Sequence, residues 1–242
     1  VTDPMQTLLS VSEIFGPTIQ GEGQTQGKPV VFLRLGLCNL DCSWCDTPYT
    51  WDWTGKNGKV YIKEDELKKW TVEDVLDRLT DQAGPYVDRL VISGGEPLLQ
   101  QKRLAHLIEA WEGPVEIETN GTIIPSETLV EQGVQFNCSP KLSNSGIKYE
   151  DRIIPEVLHE ISQGFSFFKF VVDTEDDIRE VDAIMDLILN LHDQSRVFLM
   201  PQGIDSTTIK SKLPWVMEQA AKRGWSVSPR LHVLAYEQKR GV

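Results

Sequence analysis

Cys38, Cys42 and Cys45 fall within eight residues of this 242-residue chain, in the spacing C-x3-C-x2-C. Three thiolates on one short loop can each hold one iron of a four-iron cluster, which leaves the fourth iron without a protein ligand. An open iron is a place to bind something, so the loop points to chemistry more than to electron storage. A structural zinc site wants four closed ligands, usually as two separated pairs, and the sequence holds no second pair. Cys138 lies far along the chain, after a different apolar run, and reads as a small buried residue.

Other residues gain meaning from their placement. Ser93-Gly-Gly-Glu-Pro97 is a strand-to-helix turn with Pro97 at the first helical position, or a place where backbone approaches a ligand closely. Ile19-Gln-Gly-Glu-Gly23 is a glycine-rich turn, or a segment in which Gln20 and Glu22 read the donor and acceptor edges of a heterocycle. Arg34 sits in an apolar run, where it is costly unless paired; it either clamps a carboxylate bidentately or makes a structural ion pair. Asp46 and Thr47 follow the last cysteine of the loop as helix-capping residues or as part of a hard-cation site. Glu118, Lys141, Gln202 and His232 are each ordinary alone.

The elements that must position these residues alternate. Strands are expected at Val30–Leu35, Leu90–Ile92, Val115–Ile117, Val134–Phe136, Phe167–Val172 and Val197–Leu199. Helices are expected at Val72–Asp81, Leu98–Trp111, Ser126–Gln132, Arg152–Gln163, Asp176–Leu191 and Thr207–Arg223, the fourth carrying Pro155. Repeated strand–helix units imply parallel strands with right-handed crossovers, hence an α/β fold of about six strands that forms a parallel β/α barrel or a partial, incomplete one. The cysteine loop, Ser93–Pro97, Glu118–Gly121, Ser139–Lys141 and Met200–Gly203 all follow strands. Strand C-termini gather at one mouth in such folds, so five clusters share one site. One domain spans 1–242, with a surface insertion near 51–69 and a C-terminal tail near 229–242 closing the site.

The net charge of −12 opposes a phosphate-tracking surface, so nucleic acid is not the expected partner. No apolar run reaches membrane-spanning length and no signal peptide opens the chain, so a cytoplasmic protein is expected.

With its aromatic Trp44 before the last cysteine and its Gly94-Gly-Glu96 segment, the chain resembles the radical S-adenosylmethionine superfamily. Phe15–Gly23, Cys45-Asp-Thr47, Ser93–Pro97, Ser139-Pro-Lys141 and Lys239–Val242 resemble the 7-carboxy-7-deazaguanine synthase family within it. The resemblance implies a lyase that converts 6-carboxy-5,6,7,8-tetrahydropterin to 7-carboxy-7-deazaguanine and ammonia, on the route to queuosine and other deazapurines. It implies a [4Fe-4S] cluster on Cys38, Cys42 and Cys45, S-adenosyl-L-methionine beside Trp44, Asp46, Gly95, Glu118, Ser139, Pro140, Lys141 and Gln202, and Mg2+ on Thr47. Pterin-contacting positions map to Ile19, Gln20, Gly21, Arg34, Ser93 and the terminal carboxylate of Val242. No side chain is implied as a catalytic nucleophile, since the cofactors carry the hard chemistry. A homodimer served by flavodoxin or ferredoxin is also implied.

Two other classes share parts of the pattern. An activating enzyme for a glycyl-radical protein has the same cysteine spacing but needs an open groove for a protein loop. A non-catalytic iron–sulfur electron carrier would ligate every iron.

Overall fold

The computed structural model describes residues 3–188 and 193–242. Among them, nine strands form one sheet: β1 (Leu8–Ile19), β2 (Pro29–Leu35), β3 (Lys68–Thr71), β4 (Leu90–Gly94), β5 (Val115–Thr119), β6 (Gln135–Cys138), β7 (Ser166–Val172), β8 (Val197–Pro201) and β9 (Ser226–Val227). Their spatial order is β3-β1-β2-β4-β5-β6-β7-β8-β9, so the sheet ends at β3 and β9 and does not close. The pairs from β2 through β9 are parallel, while β1 runs antiparallel to both β2 and β3.

The helices are α1 (Lys63–Glu66), α2 (Val72–Ala83), α3 (Gln101–Ala110), α4 (Glu127–Glu131), α5 (Tyr149–Arg152), α6 (Pro155–Gln163), α7 (Glu175–Leu187), α8 (Ser206–Arg223) and α9 (Leu231–Tyr236). Local chemistry sets their starts. Thr71 with Asp74, and Thr174 with Asp177, form capping boxes at α2 and α7. Pro155 stands at the first position of α6, so the expected helix over 152–163 is two helices separated at Ile153–Ile154. The last residues of the helix expected to reach Leu191 lie outside the described residues.

Six expected strands are present as β2 and β4–β8. The sheet is larger than six because β1, β3 and β9 extend it. Strand β1 contains Gly16 and Pro17, which read as a turn in sequence; irregular pairing between Phe15 and Thr18 accommodates them. Lys68 and Lys69, assigned to the surface insertion, belong to β3.

The period-2 alternation of strands divides the barrel wall into two faces. Val31, Leu33 and Leu35 of β2, Leu90 and Ile92 of β4, Ile117 of β5, Phe136 of β6, Phe168 and Phe170 of β7, and Leu199 of β8 join one apolar cluster with the helices. The alternate positions form the inner face, and several are polar: Arg34, Ser93, Glu116, Glu118, Gln135, Asn137 and Lys169. Register confirms their grouping, with Arg34 opposite Ser93 and Glu118 opposite Asn137. The lower layer centres on fully buried Glu116, which accepts from Thr25 Oγ1 (2.9 Å), Arg89 Nη1 (2.9 Å) and Asn137 Nδ2 (2.8 Å). No helix among the described residues is long and apolar enough to cross a membrane.

Phe168 is fully buried on the helix-facing side. Phe168→Ala is expected to destabilise the fold by about 3–5 kcal/mol, read as a lower urea midpoint at unchanged slope.

Candidate active site

The cysteine loop leaves β2 through Leu37, which holds a left-handed φ of 76°. The loop is clamped by backbone contacts. Leu37 N donates to Thr50 O (2.8 Å), and Leu37 O accepts from Glu96 N (2.8 Å). Gly95 N donates to Leu35 O (3.1 Å). A Cβ on Gly95 would stand 2.0 Å from Leu37 O, so only glycine lets the Ser93–Pro97 turn lie this close to the cysteine loop. On its far side, Ser43 N donates to Ser145 O (2.9 Å) and Trp44 Nε1 to Asn144 Oδ1 (3.1 Å).

The segment after the loop is more than a surface excursion. Trp51 Nε1 donates to Cys45 Sγ (3.3 Å), and Asn57 Nδ2 donates to Cys42 O (3.2 Å). Asp52 is almost fully buried and accepts from the backbone N–H groups of Thr54, Gly55, Lys56 and Asn57. That turn buttresses the loop from below.

All three loop thiols are free, and Cys42 is buried. Burial pushes the Cys38 thiol up to about 12 and raises Cys42 and Cys45 as well. Metal binding therefore has to displace protons from them. Among the described residues, no three His, Cys, Asp or Glu side chains converge on a single ion; a cubane asks instead for one thiolate per iron. The soft donor set and the glycine-permitted cradle beside it fit a cluster held by Cys38, Cys42 and Cys45. Cys138 is fully buried in β6 with its thiol pushed up by burial, as expected of a packing residue.

Around the loop, Lys141 Nζ lies 5.7 Å from the centre of the Trp44 ring and donates to Ser139 Oγ (3.1 Å). Pro140 is buried between them in sequence. Glu96 is fully buried and accepts from Asn120 N (2.7 Å), Leu98 N (2.9 Å) and Thr119 Oγ1 (3.0 Å); burial raises its carboxyl against those bonds. Gln202 Oε1 accepts from Lys212 Nζ (3.0 Å) on α8.

The other half of the mouth is a connected set of charges. Lys169 Nζ reaches Glu22 Oε2 (3.0 Å) and Glu118 Oε1 (3.1 Å). Arg230 Nε reaches Glu22 Oε1 (3.1 Å), its Nη1 donates to Gly203 O (2.9 Å), and its Nη2 bonds Asp46. Gln20 Nε2 donates to Glu118 Oε1 (3.4 Å), and Gln20 Oε1 accepts from Glu22 N (3.3 Å). Burial alone would raise the Glu22 carboxyl, but Lys169 and Arg230 hold it far below the usual carboxylate range. Asp46 is held low in the same way, against burial, by Arg230. Burial keeps His232 below its ordinary value, favouring neutral imidazole.

Residues 228–232 close over this set. Ser228 Oγ accepts from Gly23 N (2.9 Å), and Leu231 N donates to Gly21 O (2.9 Å). A Cβ on Gly21 would stand 2.3 Å from His232 Nδ1. Further out, Arg34 Nε pairs with Glu13 (2.9 Å). Arg240 bonds both Glu13 and Glu66 and stacks 3.7 Å from the Tyr49 ring centre, tying the C-terminal tail to the same corner. Val242 is half-buried beside it in sequence, Ile19 is about half exposed at the end of β1, and Ser93 lies opposite Arg34.

Sequence reasoning passed over Lys169, Trp51 and Glu13, and left open whether Arg230 contacts substrate. Lys169 was legible in principle as one cation inside Phe167-Phe-Lys-Phe-Val-Val172, at an inward position of the alternation. Arg230 lies outside any periodic element, and only its left-handed backbone (φ 59°) turns its side chain inward.

Trp51→Phe removes the donor to Cys45 Sγ while keeping an aromatic ring. Potentiometric titration of the cluster-loaded variant is expected to show a lower midpoint potential at unchanged iron content, since hydrogen bonds to sulfur favour the reduced state.

Residues 34–242 match the Radical SAM superfamily. The chain is 35% identical over 237 residues to the 7-carboxy-7-deazaguanine synthase of Pyrobaculum aerophilum, covering 96% of this chain and 97% of the relative. It is 34% identical to that of Hyperthermus butylicus over 245 residues, covering 96% and 95%. The crystal structure of QueE from Escherichia coli superposes with a TM-score of 0.70 at 26% identity, covering 91% of this chain and 92% of that one. Sequence along its whole length and the open, mostly parallel barrel thus agree: the chain belongs to the Radical SAM superfamily and, within it, to the 7-carboxy-7-deazaguanine synthase family.

Proposed function

We propose that this protein converts 6-carboxy-5,6,7,8-tetrahydropterin to 7-carboxy-7-deazaguanine with release of ammonia. One observation carries the reading: a single run of contacts joins the three-thiol loop to a buried acid–amide site. Asp46 follows Cys45, bonds Arg230, and Arg230 bonds Glu22 beside Gln20. A radical generator and a receptor for a polar heterocycle therefore share one mouth.

A reduced [4Fe-4S] cluster together with S-adenosyl-L-methionine would supply the one-electron, radical chemistry. This chain's part is to bind, orient and exclude water. Cys38, Cys42 and Cys45 would hold the cluster. Trp44, Asp46, Gly95, Glu118, Ser139, Pro140 and Lys141 are proposed to surround the methionine and nucleoside. Gln202 is proposed to join them while its Oε1 stays on Lys212. Ionised Glu22 offers acceptors to the N–H groups of a pterin, and Gln20 offers both a donor and an acceptor. Arg34 is proposed to clamp the substrate carboxylate with its Nη pair while Nε stays on Glu13. Ile19, Gly21, Ser93 and the Val242 carboxylate complete the proposed substrate surface.

Thr47 Oγ1 lies 3.7 Å from Cys45 Sγ, where a hydroxyl can join water and a substrate carboxylate around Mg2+. The whole chain 1–242 is proposed to act as one unit and to pair as a homodimer, with flavodoxin or ferredoxin as electron donor. A reducing cytoplasm suits three thiols that must stay reduced.

Anaerobic reconstitution tests the reading. Four irons per chain and pterin-dependent product without net consumption of S-adenosyl-L-methionine are expected; bound zinc, or no product, defeats it. Thr47→Val should keep the cluster but weaken the response to added Mg2+ by about tenfold. Residues appended after Val242 should raise the pterin KM and leave iron content unchanged.

A further inference from the structure

Among the described residues, Lys169 is the one cation in the set of largest fully buried side chains, and it projects from the inner face of β7 into the mouth. A barrel position between Phe167 and Val171, opposite Phe198 in β8, has apolar neighbours enough for a leucine or methionine. Replacing a buried ion pair by apolar residues is often neutral or stabilising, so packing does not account for a lysine here.

Its geometry does. The ammonium carries three donors and spends them on two carboxylates from different elements: Glu22 from the loop after β1, and Glu118 from β5. Its stem supports that loop too, since a Cβ on Gly23 would lie 3.4 Å from Lys169 Cδ. Glu22 gives one oxygen to Lys169 and the other to Arg230. Glu118 has Lys169 for a cation and Gln20 for an amide donor. Other charged or titratable groups around the cluster are Asp46 beside Arg230, His232 near Glu22 and the Cys138 thiol of β6.

We infer that Lys169 is a positioning residue that locks Glu22 and Glu118 into one fixed pair, so that the loop proposed to read the pterin is aligned with the strand end proposed to hold the nucleoside. This rests on the substrate reading above. Without the shared cation, two carboxylates are left close together. Glu22 then takes up a proton more readily, and once protonated it is a poorer acceptor for the pterin.

The test uses the cluster-loaded protein. Lys169→Met is expected to keep iron content and circular dichroism, and to raise the pterin KM, and its Kd measured by equilibrium dialysis without S-adenosyl-L-methionine, by about tenfold or more. The acid limb of kcat/KM should move to higher pH. Lys169→Arg, which keeps the charge, should recover most of the binding. Wild-type Kd and pH profile in Lys169→Met, or a fall in melting temperature alone, overturns the inference. So does a Lys169→Arg variant that binds pterin no better than Lys169→Met. Should Lys169→Met not fold, Lys169→Met/Glu118→Gln removes the stranded carboxylate; it is expected to fold with the raised Kd, and a wild-type Kd there is equally fatal. A wild-type protein that neither binds nor turns over pterin is a separate result: it removes the substrate reading, and this inference with it.

Discussion

A charge taken out of water has to be met by an opposite charge, and the inner face of this barrel is organised around that requirement. Lys169 is 2% exposed and stands between Glu22 and Glu118. Because its partners come from the loop after β1 and from β5, satisfying one ammonium brings together segments about 96 residues apart. Arg230 repeats the device between Glu22 and Asp46, and so reaches the residue that follows the last loop cysteine. Below them, Glu116 is met by Thr25, Arg89 and Asn137. The barrel interior is thus two polar layers under the mouth, where a closed barrel would be filled by branched apolar side chains.

The cysteine loop obeys a different constraint, the close approach of backbones. A Cβ at Gly94 would lie 2.0 Å from Leu35 O, and one at Gly95 the same distance from Leu37 O. The two glycines let the turn after β4 hydrogen-bond directly to the loop after β2. The loop therefore rests on a sheet that cannot shift without breaking its own ladder. From the other side it is held by Trp51 and by the turn that Asp52 organises. A radical generator gains from such support, because small displacements of reacting groups are costly in rate.

Much of the architecture was readable because parallel strands covered by helices need continuous apolar runs, and those runs appear at β2 and β4–β8. The mouth was readable for the same reason: polar and glycine-rich clusters follow the strands. Strand β1 was not, since Gly16-Pro17 punctuates it and its pairing with β2 is irregular there. The pairing of Arg34 was open on sequence alone; tertiary contact brought Glu13 to its Nε, and Arg240 to Glu13. The hydrogen bond from Lys212 to Gln202 could not be read either, because Lys212 lies on a later helix.

By itself, the sequence determined that three thiols lie within eight residues in the spacing C-x3-C-x2-C. It also determined which strand faces are apolar, since alternation is a property of the chain. Only the tertiary structure decided what the inward positions do. A lysine, two glutamates and an arginine far apart in sequence become one site when strand register and the closing segment 228–232 bring their charges within hydrogen-bonding distance, and that distance is a property of the fold.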